Sequence, residues 1–137
     1  MIGYVDSSVV LRIALKQPKA LKEFQEISLA VSSRLLRAEC LRTLDRLFVL
    51  EKISNSVQTA STRFVLKVLD YIEQVPIDEV IDGVGNPLGL NLGTLDAIHL
   101  FTALKWKEAR KKEIIFLTHD FLLASAAQRF GLEVRGV

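Results

Sequence analysis

Apolar and polar positions along the chain change their period several times, and each change marks an element. Ile2 to Val5 is a short apolar run ending in Asp6-Ser7-Ser8, which predicts a strand followed by a polar turn. Val9, Val10, Leu11, Ile13 and Ala14 then recur at helical spacing, with Ser7 or Ser8 as the cap. Pro18 predicts the start of a second helix that turns Leu21, Phe24 and Ile27 inward. Leu29 to Val31 is a second brief strand, and Ser32-Ser33 a helix start. From there Leu36, Cys40, Leu44 and Leu47 recur at i, i+4, i+8 and i+11. A polar joint, Glu51 to Asn55, separates this helix from one predicted from Ser56 to Glu73. The face of that second helix is Val57, Ala60, Phe64, Val68 and Tyr71, and the two helices would form an antiparallel pair.

Val75-Pro76-Ile77 reads as extended, because the residue before proline avoids the helical region, and Asp78 to Ile81 as one helical turn. DGVGNPLGLNLG, residues 82–93, is a loop by its four glycines and one proline. It either shapes access to a site or simply connects two elements. Thr94 then predicts the cap of a helix with Asp96 at its second position, where the helix dipole favours negative charge. Ala97, Ile98, Phe101 and Leu104 are its apolar face, widened by Leu100 and Ala103. Ile114 to Leu117 is apolar without alternation, as a central parallel strand should be. Thr118-His119-Asp120 follows it, and Phe121 to Phe130 is helical with Gly131 as its stop. Leu132 to Val134 is a last strand. Strands alternating with helices predict an α/β fold with a central, mostly parallel sheet.

Composition narrows the chemistry. The 137 residues suit one domain, and a 50% hydrophobic content supports a real core. No apolar run approaches the roughly 18 residues of a membrane span, and the MIGYVDSS start lacks the basic flank of a signal peptide. Cys40 is the only cysteine, so no internal disulfide forms, which fits a reducing cytoplasm. With two histidines and one cysteine a structural zinc site is disfavoured, and any metal would be a hard ion held by carboxylates. The net charge of +2 permits a nucleic-acid partner. KWKEARKK, Lys105 to Lys112, is open to two readings: a solvated helix end, or a phosphate-binding patch.

The acids supply the candidate site. In open α/β sheets, sites lie beyond the carboxyl ends of the strands. Asp6 follows the first strand, Asp120 follows the buried strand, and Asp96 opens the helix before it. Glu39, early on its own helix, could face the same edge. Four carboxylates in one cleft repel each other without a cation, and magnesium or manganese suits an all-oxygen site. Such a metal activates water for in-line attack on a phosphodiester. Ser7 and Thr118 could orient the carboxylates or serve only in turns. His99 reads as a packing residue, and His119 would point away from Asp120 by the strand pleat, so neither joins the catalytic set.

The pieces YVDSS (Tyr4 to Ser8), RAECLR (Arg37 to Arg42), LGTLDAIHLFTAL (Leu92 to Leu104), FLTHD (Phe116 to Asp120) and ASAAQRFGLEV (Ala124 to Val134) together resemble the PIN-domain family, most closely its VapC-type toxins. The resemblance runs nearly end to end and implies one PIN-like domain over residues 1–137, three layers with helices on both faces of the sheet. It places the family's acidic quartet on Asp6, Glu39, Asp96 and Asp120, with Ser7 and Thr118 at the family's hydroxyl positions. It implies an Mg²⁺- or Mn²⁺-dependent endoribonuclease leaving a 5′-phosphate, an RNA substrate, a cognate antitoxin protein and a homodimer. The paired helices from Leu35 to Tyr71 would contribute to the antitoxin-binding surface. The glycine-rich stretch before Leu92 is longer than in many relatives. Two other readings keep the fold: a catalytically silent RNA-binding or regulatory module, and a non-toxic RNA-processing nuclease.

Overall fold

The computed structural model describes residues 1–137. Five strands form one all-parallel sheet: β1 (Ile2–Val5), β2 (Leu29–Ser33), β3 (Ile72–Val75), β4 (Ile115–Leu117) and β5 (Glu133–Arg135). Their order across the sheet is β3-β2-β1-β4-β5. The chain first winds outward from β1 through β2 to β3, then crosses back and adds β4 on the other side of β1. The order therefore reverses between β1 and β4, and the crevice beyond their carboxyl ends is where such a sheet opens a site.

Helices cover both faces. Tyr4 and Val5 point to opposite sides of β1, as do Phe116 and Leu117 on β4, so each strand feeds two cores at a period of two. One core holds Tyr4, Phe116, Leu100, Trp106 and Leu123, under α5 (Thr94–Arg110) and α6 (Phe121–Arg129). The other holds Val5, Val10, Leu36, Leu44, Val65 and Leu117, under α1 (Ser7–Ala14), α2 (Leu35–Val49) and α3 (Asn55–Leu69). This is the α/β, three-layer arrangement expected, with the sheet parallel throughout.

Several local expectations are corrected. No helix begins at Pro18. Lys16 and Lys19 take positive φ on either side of it, and the chain forms only a 3-10 turn at Lys22–Glu26. Ser32 and Ser33 end β2 rather than starting α2. Both are fully buried there, and Ser32 Oγ donates to the Val5 carbonyl at 2.6 Å. The helix expected to reach Glu73 stops at Leu69, and Ile72–Val75 is the sheet's edge strand, paired with β2. Its buried line is Ser61, Val65 and Leu69, one position off the predicted face, which leaves Val57 and Tyr71 exposed. After Pro76 come a 3-10 turn, Ile77–Glu79, and a single turn of helix, α4 (Ile81–Val84). Gly93, not Thr94, caps α5, so Asp96 is its third residue.

Basic residues of KWKEARKK lie in the far part of α5, Lys105 to Arg110 being about 16–24 Å along the helix from its start at 1.5 Å per residue. Lys107 pairs with Glu113 at 2.7 Å and Arg110 with Glu73 at 2.8 Å, and Arg110 also sits over the Trp106 ring. These contacts match the helix-end reading and place the basic cluster away from the acids.

Candidate active site

Asp6 leaves β1 in extended conformation and caps α1, its Oδ2 accepting from the Ser8 amide at 3.3 Å. The cap is thus Asp6 itself and not the serines expected in that role. The same oxygen accepts from Ser8 Oγ at 2.5 Å and from Thr118 Oγ1 at 2.9 Å. Three donors converge on Oδ2, while Oδ1 has only the Ser7 hydroxyl, at 3.5 Å. Asp6 is 4% exposed, so these bonds fix a buried carboxylate with one oxygen held by three donors and the other by a single long contact.

Ser8 also ties β1 to β4, because its Oγ accepts from the His119 amide at 2.9 Å. Thr118 has a matching double role. It donates to Asp6 and accepts from the Asp120 amide at 3.0 Å. Asp120 then caps α6, Oδ1 accepting from the Leu123 amide at 2.9 Å. Thr118 thus contacts Asp6 and the Asp120 amide, and Ser8 makes the bridge between the two strand ends, with Ser7 only at 3.5 Å from Asp6 Oδ1. Position decides this: with Asp6 as the cap, Ser8 is the second helical residue, where the amide points back at the capping oxygen.

The remaining acids come from helices. Glu39, on α2, accepts from His99 Nε2. Asp96, in the first turn of α5, has no hydrogen-bond partner, though the dipole of α5 favours its charge. Burial first, then the charges of Asp120 and Asp6, with a smaller push from Glu39, raise its carboxyl above the ordinary value; His99 opposes them. All four acids therefore share one electrostatic neighbourhood.

His99 is the functional-site neighbour that the sequence reading set aside. It is fully buried, bonds Tyr4 Oη through Nδ1 at 2.7 Å and Glu39 through Nε2, and brings Nε2 to 3.8 Å from Asp6 Oδ1. Burial acts to lower its pKa, but the hydrogen bond to Glu39 and the charges of Asp6, Glu39 and Asp96 outweigh burial and raise it. A usable signal was present, since His99 follows Asp96 by three residues and so shares its side of the helix. Tyr4, buried beneath it, is held well above the ordinary phenol value by burial and by the Asp6 charge, and stays protonated. His119 turns from the acids as expected, its Nδ1 bonding the Gly136 carbonyl at 2.7 Å. Gly136, at φ +111°, brings the tail so close to Thr118 that a Cβ would strike the Thr118 carbonyl.

The donor chemistry suits a hard divalent cation: Asp6 Oδ1 and both Asp96 oxygens lack strong donors, and the charges of Asp120, Asp6 and Glu39 raise the cost of ionising Asp96. As the side chains stand, no three of the His, Cys, Asp and Glu residues form a ready cage for one ion. The glycine-rich loop borders the same helix start. With α4 it walls a groove of about 360 Å³ lined by Ile81, Asn86, Leu88, Leu90 and Thr94.

No family model matches the chain. Over 135 residues it is 33% identical to Ribonuclease VapC46 of Mycobacterium tuberculosis strain H37Rv, covering 96% of this chain and 94% of the relative. Over 131 residues it is 25% identical to Ribonuclease VapC47 of strain CDC 1551, covering 93% and 91%. Similarity at that level, from end to end and on an all-parallel sheet with acids gathered at the switch point, means that this chain belongs to the VapC-type PIN-domain family.

Proposed function

We propose that this chain is an endoribonuclease, the toxin of a type II toxin–antitoxin pair, in which Asp6, Glu39, Asp96 and Asp120 hold Mg²⁺ or Mn²⁺. The observation that carries the reading is Asp96, a half-buried acid with no donor of its own, pushed toward its neutral form by burial and three other acids. A divalent ion relieves that repulsion and supplies Lewis acidity for phosphodiester hydrolysis, which needs no protein nucleophile.

The chain's own residues set the geometry. Ser8 and Thr118 occupy one oxygen of Asp6 and leave the other toward His99 and the cleft. The caps on α1 and α6 hold Asp6 and Asp120 at the ends of adjacent strands. No helix is long and apolar enough to cross a membrane. The encounter with RNA that goes with this reading is cytoplasmic. The partners that go with this reading are an RNA substrate, a small antitoxin and a second copy of the chain, with residues 1–137 forming one PIN-like domain.

The test is cleavage of mixed cellular RNA by the purified protein. Cleavage should require Mg²⁺ or Mn²⁺, stop with EDTA and fall in Asp6→Asn and Asp96→Asn. Cleavage that survives both treatments overturns the reading, and tight RNA binding without turnover favours a silent binding module. Growth arrest on expression, relieved by co-expressing a small neighbouring protein, separates a toxin from a processing nuclease.

A further inference from the structure

The hydrogen bonds around His99 form an unbroken buried line across four elements. The Ser33 amide on β2 donates to Tyr4 Oη at 3.1 Å, Tyr4 on β1 meets His99 Nδ1 at 2.7 Å, and His99 on α5 meets Glu39 on α2. Proton placement follows from the two ends. An ionised carboxylate only accepts, so the proton between His99 and Glu39 sits on Nε2. Tyr4 Oη already accepts the Ser33 amide, and its own O–H is free to donate to Nδ1. The neutral imidazole is then satisfied at both nitrogens.

Packing holds the line rigid. The Tyr4 ring stacks on Phe116 with centroids 5.0 Å apart and meets the His99 ring edge-on at 5.8 Å. Tyr4, His99 and Phe116 are all fully buried. Glu39, by contrast, is partly open to solvent and has no other hydrogen bond. A glutamate on a helix has several rotatable bonds, so without His99 nothing directs its carboxylate toward Asp6.

We propose that His99 is a positioning residue that aims the Glu39 carboxylate into the acidic cleft, with the Tyr4 hydroxyl fixing the ring that does so. This rests on the reading of the four acids as one metal-binding set. Carboxylates or carbonyls behind a histidine are the usual way of orienting a ligand. Here the order is inverted, with a tyrosine-backed histidine orienting the carboxylate.

The test compares Tyr4→Phe, His99→Ala, His99→Gln, Glu39→Gln and the double variant His99→Ala/Glu39→Gln. Mn²⁺ affinity is read by titration calorimetry without RNA, and kcat and KM are read separately on RNA. Tyr4→Phe and His99→Ala should each weaken Mn²⁺ binding and lower kcat by about 10–100-fold, with KM little changed. His99→Gln, which keeps an N–H donor, should retain more than His99→Ala. Adding His99→Ala to Glu39→Gln should cost little further Mn²⁺ affinity, because two residues acting through one contact are not additive. A merely structural His99 gives additive losses instead, and that result overturns the proposal. So does wild-type Mn²⁺ affinity in Tyr4→Phe, which keeps the stacked ring and carries the test should His99→Ala fail to fold. Asp96→Asn distinguishes the two levels. If it abolishes Mn²⁺ binding while Tyr4→Phe and both His99 variants bind Mn²⁺ as tightly as wild type, the positioning role falls and the metal site stands; if it changes nothing, both fall.

Discussion

The acids at the strand ends and the acids on the helices reach the same cleft by different physical means. Asp6 and Asp120 each cap a helix, and each has a carboxylate oxygen occupied by backbone amides or hydroxyls. Those bonds satisfy helix-end amides, so these two acids support the fold while lying in the candidate site. Asp96 has no donor, and Glu39 has only His99. Asp96 is thus held at some expense to the folded chain, which is the sign expected of a residue kept for chemistry and not for stability under the proposed function. Replacing acids from each class should move stability and activity in different combinations.

The largest effect is expected at Asp96. Asp96→Asn should lower RNA cleavage by about 10²–10³-fold, the scale of losing one well-placed electrostatic group. Stability should move the other way. Because burial and the neighbouring acids raise its folded pKa, the stability linked to Asp96 is full below its unfolded pKa and is lost as pH rises through the folded value. At neutral pH its charge therefore works against the fold. In EDTA, Asp96→Asn should melt higher than wild type near pH 7, and the difference should vanish near about pH 3, where the carboxyl is protonated in both states. A variant melting lower than wild type at neutral pH would contradict the assignment.

The strand-end acids should behave in the opposite sense. Alanine at Asp120 removes the α6 cap and should cost about 1 kcal/mol, or about 4 °C in Tm for a chain of this length. Alanine at Asp6 should cost more, about 1–3 kcal/mol, because the hydroxyls of Ser8 and Thr118 and the Ser8 amide lose a buried acceptor together. Asparagine caps about as well as aspartate, so Asp120→Asn should melt close to wild type while still losing cleavage. Melting curves of the Ala and Asn pair at each position separate capping from charge. Equal losses for both substitutions at Asp120 would remove the distinction between the two classes.

Sequence reading succeeded where one local signal carried the information and stopped where packing decided. The runs ending at Asp6 and at Thr118-His119-Asp120 show their position without any tertiary contact, since an apolar stretch meets a polar tip. Ile72 was misassigned because Val68, Tyr71 and Ile72 continue the helical phase of α3. Pairing with β2 makes the segment a strand, and that partner is not visible in a local period. The roles of Ser7 and Ser8 are equally invisible in a local pattern: which hydroxyl lies over Asp6 Oδ2 depends on where the helix is capped. His99 was set aside because it interrupts an apolar face, and its partners Tyr4 and Glu39 are 95 and 60 residues away. A buried histidine needs partners on both nitrogens, and only the folded chain supplies them.

Cys40 provides the smallest and most indirect probe of the same contrast. It follows Glu39 on α2 but packs into the core beneath the cleft, and its thiol is pushed up to about 12 by burial first and then by the charges of Glu39 and Asp6. At pH 8 the thiol is almost wholly protonated as well as buried, so the native protein should resist iodoacetamide, although it reacts fully once unfolded. Burial is the larger cause, so relieving the charge should matter less than opening the fold. Glu39→Gln should therefore raise the native alkylation rate by no more than a few-fold, and Mn²⁺ should act in the same direction on the wild type. Asp120→Asn should leave that rate near wild type, because Asp120 is not among the charges that act on the thiol. If Cys40 in native protein alkylates as fast as a free thiol, the core beneath Glu39 is open, and the account of the helix acids as charges set against a dry interior fails with it.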